Sequence, residues 1–173
     1  DNAALLLREA DDFSEIEAAS TEMIVLNSVI QYFPDTEYLR RVLMNASRVV
    51  SQGGEIFAGD VRSLSLWPAF HASVELFRAV EEMTVEEFRE RVRLQMDRER
   101  ELLVDPGFFS ELCGHLPGLR EVCIEPKRGR FLNELTQFRY DVTMHFGTES
   151  PPSEIPIWLN WRDDCWSVAE IRS

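Results

Sequence analysis

No apolar run in this chain approaches the ~20 residues that cross a bilayer as a helix, so no membrane span is expected. Cysteine is scarce. Cys113, Cys123 and Cys165 are odd in number and widely spaced, with no CxxC pair. A disulfide framework is denser and paired, so free thiols in a reducing cytoplasm are expected. His71, His115 and His145 stand apart in sequence, and no Cys/His cluster offers metal-ligand spacing, so no metal is expected. Positive charge is the minority sign. The 18 Lys and Arg face 31 Asp and Glu, giving a net charge of -13 and a pI near 4.7. A general nucleic-acid binder needs a basic footprint, and this balance excludes that class. The eight glycines never fall in GxGxxG spacing, and no internal repeat or low-complexity tract is visible. What remains is ordinary for a globular protein: 173 residues, 45% hydrophobic and 28% charged, enough for one domain with a core. The start, Asp1-Asn2-Ala3, is neither an initiator methionine nor a signal peptide, which reads as a piece of a longer polypeptide.

The most informative stretch is Ile24-Val25-Leu26-Asn27-Ser28-Val29-Ile30-Gln31-Tyr32-Phe33-Pro34. It opens apolar, turns polar at Asn27-Ser28 and stops at a proline. This is the profile of a buried strand whose C-terminal end breaks into a loop, the edge where open α/β sheets bind ligands. Being apolar on both faces, the strand predicts a parallel sheet covered by helices on both sides. Asp35 and Thr36 offer N-caps for a helix through Val49, with Leu39, Val42, Leu43, Ala46, Val49 and Val50 as its buried stripe. Gln52-Gly53-Gly54 is expected to end it, and Ile56–Gly59 to form the next strand. Such a crossover puts Asn27 and Asp60 at the same edge of neighbouring parallel strands.

Earlier in the chain, Ala3–Leu7 reads as a short strand ending in Arg8-Glu9-Ala10-Asp11-Asp12-Phe13. On spacing alone, Asp11 and Asp12 read as turn caps. Later, Leu64–Met83 is mostly helical and carries His71, a lone helical histidine that reads first as a packed residue. Thr84-Val85-Glu86-Glu87 is a capping box opening a charged, solvated helix to about Val104. Asp105-Pro106 starts another helix, over 107–116. Leu119–Glu125 and Phe138–Phe146 are expected strands, paired as an antiparallel hairpin around the basic run Lys127-Arg128-Gly129-Arg130. Residues 148–156 read as a Pro/Ser/Glu linker. Trp158, Trp161 and Trp166 follow in a tail that reads as docking onto this domain or an adjoining one.

Four stretches together carry a resemblance. Asn27–Pro34 with Tyr38-Leu39 resembles the NSVxQYFPxxxYL signature of methyltransferase domains embedded in nonribosomal peptide synthetases. Arg8–Phe13 is similar to their READDF turn. Gly59-Asp60-Val61-Arg62-Ser63 with Phe70-His71-Ala72-Ser73 is similar to their GDVRS and FHxSV stretches, and Asn133–Val142 to their NELTxFRYDV stretch. The order is conserved along Leu5 to Gly147. The resemblance implies an α/β fold: the C-terminal portion of a Rossmann-like methyltransferase sheet, with a terminal antiparallel hairpin and inserted helices. It implies S-adenosylmethionine as donor and the amine of a carrier-bound aminoacyl thioester as acceptor, with C- or O-methylation as close variants. A peptidyl carrier protein and an adenylation domain are the implied partners.

Residue by residue, the resemblance sets Asp11 and Asp12 beside the adenine, and Asn27 and Ser28 at the cofactor's methionine or ribose side. It sets Tyr32 near the sulfonium. Asp60, Arg62, His71, Asn133, Glu134 and Tyr140 fall on the acceptor side. Glu134, and after it His71, are the expected proton acceptors from the attacking amine. The chain departs from the family in one respect: the glycine-rich donor loop and the two strands around it are missing. The expectation is that the missing N-terminal half comes from preceding residues of the same natural chain, and that residues 1–173 alone neither fold stably nor bind donor. The competing readings are a non-catalytic remnant acting as a structural or partner-binding module, and an unrelated α/β binding domain.

Overall fold

The computed structural model describes residues 3–147; the linker and Trp-rich tail expected at 148–173 lie outside the described residues. The chain is α/β, built on a four-stranded mixed sheet in the order β1-β2-β4-β3. The strands are β1 (Thr21–Asn27), β2 (Val50–Arg62), β3 (Leu119–Pro126) and β4 (Arg139–Phe146). The helices are α1 (Thr36–Val49), α2 (Trp67–Arg78), α3 (Val85–Asp97), α4 (Pro106–Glu111) and α5 (Glu134–Phe138). No helix among the described residues is long and apolar enough to cross a membrane.

The β1-α1-β2 crossover forms as the sequence predicts. The Asp35 carboxylate accepts the Tyr38 N–H at 2.7 Å and starts α1. The expected stripe, Leu39, Val42, Leu43, Ala46, Val49 and Val50, is buried throughout. β1 and β2 pair in parallel, with Asn27 opposite Gly59, so both strand ends share one edge. The glycine pair does not end the helix, however. α1 stops at Val49 and the chain enters β2 directly. Thr21 pairs with Val50 and Met23 with Glu55, two steps on β1 against five on β2. Three residues therefore bulge out, and Gly53, at φ 80°, takes the left-handed position in that bulge.

Two further expectations are corrected. Ala3–Leu7 is not a strand: Leu5 and Leu7 are fully exposed, and no neighbouring strand among the described residues offers them hydrogen bonds. Among the described residues, helices do not cover both faces of the sheet either. The core gathers Ile56, Ala58, Tyr140, Val142, Met144 and Phe146 on one face with α1 and Phe109, Leu112 and Leu116. On the other face Met23 and Val25 stay more than half exposed. Strand periodicity of 2 separates these sets cleanly.

β3 and β4 form the expected antiparallel hairpin, but β4 lies inside, between β2 and β3. Because β4 runs against β2, its first residue, Arg139, sits opposite Arg62, the last residue of β2. The connection from β3 to β4, including α5, is thereby held at the same edge as Asn27 and Asp60. α3 ends at Asp97, earlier than expected. The chain then folds inward: the Leu102 N–H donates to the Gln31 carbonyl at 2.8 Å, and Val104 bridges Ser63.

Candidate functional site

The ends of β1 and β2 are locked by a polar network. Ser28 (φ 55°) and Asp60 (φ 60°) both take left-handed backbone, a strained state for residues with side chains. The Ser28 hydroxyl donates a short hydrogen bond to Asp60 Oδ2, and Asn27 Nδ2 donates to Ser28 Oγ at 3.2 Å. Lys127 Nζ makes an ion pair with Asp60 Oδ1 and reaches Asp141 Oδ1 at 3.3 Å. Asp141 Oδ1 in turn accepts the Asp60 N–H at 2.9 Å. Burial opposes ionisation of Asp60, but the hydrogen bonds from Lys127 and Ser28 outweigh it and hold its carboxyl below the usual range. Lys127 is held above its ordinary value in the same way: burial works against the ammonium, and Asp60 and Asp141 override it.

Gly59 is required where Asn27 folds across β2. A Cβ there would meet Asn27 Oδ1 at 2.1 Å and the Phe57 ring at 2.7 Å. Gly59→Ala is expected to cost about 1–3 kcal/mol, the range for overpacking a filled site. The loss would appear as faster amide exchange in β1 and β2.

Beyond Arg62 lies a second charged cluster. The Arg62 guanidinium, 7% exposed, pairs with Glu99 and Glu101 at 2.9 Å each and lies over the Phe70 ring at 5.5 Å. Burial resists ionisation of Glu99, but the Arg62 bond carries its pKa below the usual value. His71 Nε2 lies 3.7 Å from Glu99, and its ring packs between Trp67 and Phe70. Burial pushes His71 below its ordinary pKa against the opposing pull of Glu99, so its imidazole is neutral at pH 7. Glu134 pairs with Arg139 at 2.7 Å. A small cavity lined by Arg62, Trp67, Phe70, Phe138, Glu134 and Arg139 lies where α2 and α5 meet through the Phe70 and Phe138 rings.

Five buried side-chain polar atoms among the described residues have no hydrogen-bond partner, and four lie along this edge: Gln31 Oε1, Trp67 Nε1, His71 Nε2 and Arg139 Nε. Buried polar atoms are nearly always paired in native structures. Four such atoms at one sheet edge leave bonding capacity there that water or a bound ligand would fill.

The remaining residues singled out from sequence take varied places. Tyr32 is exposed at the edge. Asp11 is tied to α1, within 3.4 Å of the Tyr38 hydroxyl and 3.5 Å of Arg41. Asp12 accepts both the N–H and the hydroxyl of Ser14. Both acids line a shallow groove with Phe13, Asn45 and Arg48. Asn133 caps α5 by accepting the Thr136 N–H at 3.1 Å. The Tyr140 hydroxyl donates to the Val104 carbonyl at 2.9 Å inside the core, and burial raises its pKa.

Sequence reasoning missed Lys127, Asp141, Glu99, Glu101 and Gln31. One signal was present: Lys127 opens the only basic run in an acidic chain. By spacing alone Glu99 and Glu101 belong to the charged, solvated helix, and nothing distinguishes them from their neighbours.

The segment is an open, mixed α/β sheet with strained strand ends and a charged rim at its C-terminal edge, the edge where such folds bind ligands. No family model matches the chain. Chondramide synthase cmdD of Chondromyces crocatus is 44% identical over 163 residues, 94% of this chain and 4% of that protein. CymA of Salinispora arenicola, a probable non-canonical nonribosomal peptide synthetase, is 35% identical over 96% of this chain and 2% of its own length. The nonribosomal peptide synthetase TES of Alternaria alternata is 39% identical over 83% of this chain and 3% of its own. The chain thus spans a few per cent of the length of the curated relatives it matches. An O-methyltransferase family protein from Burkholderia thailandensis overlays with a TM-score of 0.49 at 17% identity, covering 84% of this chain and 36% of that one. An overlay that loose assigns no chemistry. The chain belongs to the nonribosomal peptide synthetases, whose sequences it matches over most of its length.

Proposed function

We propose that this segment forms the acceptor side and part of the donor side of a methyltransferase site that uses S-adenosylmethionine to methylate the amine of a carrier-bound aminoacyl thioester. The observation that carries this reading is the row of unpartnered buried polar atoms at the C-terminal sheet edge, within a segment shared with peptide synthetases. The chemistry of the edge suits the donor. Asp11 and Asp12 lie off that edge, in the groove with Asn45 and Arg48 along the later turns of α1, where their carboxylates accept from an exocyclic amine. The Tyr32 ring, 73% exposed, offers its face to a sulfonium cation, and Asn27 and Ser28 offer polar groups beside it. When bound, S-adenosylmethionine supplies a methyl group already activated on positively charged sulfur, so alignment is the main demand on the protein.

The chain's own groups answer that demand. Ser28, Asp60 and Lys127 fix the strand ends. Arg62, clamped by Glu99 and Glu101, fixes the floor of the acceptor side. The acceptor ammonium must lose a proton before nitrogen attacks. His71, neutral and with Nε2 unpartnered, receives it. Glu134, bound to Arg139 on the open side, accepts one of the two remaining N–H groups and orients the amine. The adenylation domain and peptidyl carrier of the same synthetase deliver the acceptor.

The test is an intact synthetase module with an aminoacyl-loaded carrier and isotopically labelled methyl donor. Mass spectrometry of the released product is expected to place one label on nitrogen. A label on carbon or oxygen would overturn the assigned acceptor. Absence of donor binding by calorimetry on the same module would establish a non-catalytic remnant instead.

A further inference from the structure

Well away from that edge, the sheet face that no helix among the described residues covers carries a second group of chemistry-bearing side chains. Register sets them in a row. His145 of β4 stands between Glu55 of β2 and Glu121 of β3, directly paired with each. Cys123 lies two residues along β3 from Glu121, hence on the same face. The ligand atoms of Glu121, Cys123 and His145 all lie within 4.8 Å of one another. His145 Nδ1 sits 3.0 Å from Glu55 Oε1, and Cys123 Sγ 3.7 Å from Glu121 Oε1.

We infer that Glu121, Cys123 and His145 form a divalent transition-metal site, with Zn2+ the fitting ion and Glu55 its orienting carboxylate. A thiolate, an imidazole and a carboxylate are the donor types zinc takes, whereas magnesium and calcium take oxygen alone. Ligand atoms around tetrahedral zinc lie roughly 3.5 Å apart. Closing from 4.8 Å lies within reach of side-chain rotation, because the strands already hold the three Cα atoms. Glu55 on Nδ1 leaves Nε2 for the metal, the carboxylate–histidine–metal arrangement that fixes ring orientation. Sequence spacing hid this group, since residues 55, 121–123 and 145 meet only through strand pairing. Binding would deprotonate the Cys123 thiol, release that proton to solvent and form the metal–sulfur bond with no change in oxidation state.

The site spans β3 and β4 and touches β2 through Glu55, so an ion there would clamp the hairpin that carries Lys127 and Glu134 to the functional edge. The inference stands on the strand register and does not depend on the methyl-transfer reading.

The test uses the intact natural chain and Co2+ alone as probe, then Zn2+ in competition with a chromogenic chelator. Wild type is expected to show a thiolate-to-cobalt charge-transfer band that Cys123→Ser abolishes, His145→Ala weakens and Cys113→Ser leaves unchanged. Glu55→Gln is expected to weaken zinc binding about ten- to hundredfold, the usual range for an outer carboxylate. All four positions are at least partly exposed, and matched thermal melts without metal confirm that the variants fold. No band, or a band that survives Cys123→Ser, overturns the site.

Discussion

Replacing Asp60 with glycine is expected to loosen the joined ends of β1 and β2 by about 3 kcal/mol, the lower end of the range for stranding one partner of a buried ion pair. Glycine keeps the left-handed backbone that Asp60 holds at φ 60°, so the variant isolates the carboxylate. Without it the Ser28 hydroxyl loses its acceptor, and Lys127 keeps only Asp141 at 3.3 Å. The lower end is chosen because Lys127 remains 23% exposed and partly hydrated. Asp60→Asn should cost only about 1–2 kcal/mol, since asparagine tolerates the left-handed region and its amide oxygen still accepts one bond. Amide hydrogen exchange on the intact chain measures both. The glycine variant should speed exchange of residues 58–62 by about a hundredfold. Equal effects from Asn and Gly would mean that charge pairing with Lys127 contributes nothing.

The same network sets a direction for acid sensitivity. Asp60 and Glu99 both ionise below their unfolded values of 3.8 and 4.5. The unfolded chain therefore binds more protons just below those values. The stabilisation is complete above about pH 4.5 and drains away as pH falls through the depressed folded pKa values. Asp60→Asn should flatten that decline.

The elements legible in the sequence were those whose partners lie close in the chain. The α1 stripe, the capping box at Thr84 and the N-cap at Asp105 needed only spacing of two to four residues. The parallel pairing of Asn27 with Gly59 followed from a short crossover. Failures came where a distant partner decides. Leu5–Leu7 has strand composition but no strand beside it among the described residues, and composition cannot supply hydrogen bonds. Gly53-Gly54 looked like a helix stop, yet α1 ended four residues earlier because β1 captured Val50. Glu99 and Glu101 read as solvated until Arg62, 37 and 39 residues away, drew them in. At the edge, motifs named Ser28, Asp60, Arg62, His71 and Glu134, all of which gather there. They could not show that Asn133 serves as a helix cap or that Tyr140 is turned into the core.

Replacing His71 with alanine is expected to lower the methyl-transfer rate by about 10²–10⁴-fold while leaving donor affinity unchanged, the range for removing a positioned proton acceptor. Burial keeps His71 neutral, below its ordinary 6.5, with Glu99 opposing. In wild type the rate should hold constant near neutral pH and fall only as pH drops through that lowered value, where the imidazole protonates. Loss of this acidic limb in His71→Ala separates proton acceptance from mere packing between Trp67 and Phe70. A rate that drops while the limb persists would leave His71 a positioning residue and return the proton to Glu134. Stability carries the same sign. Unfolded His71 takes up a proton near pH 6.5 and folded His71 resists it, so wild-type stability falls as pH drops below 6.5. His71→Ala removes that decline. A side chain that makes the fold less stable under mild acid, and leaves Nε2 unpaired inside it, is costly as packing alone. In the proposed reaction that nitrogen takes the proton of the acceptor amine, which gives the unsatisfied group a use.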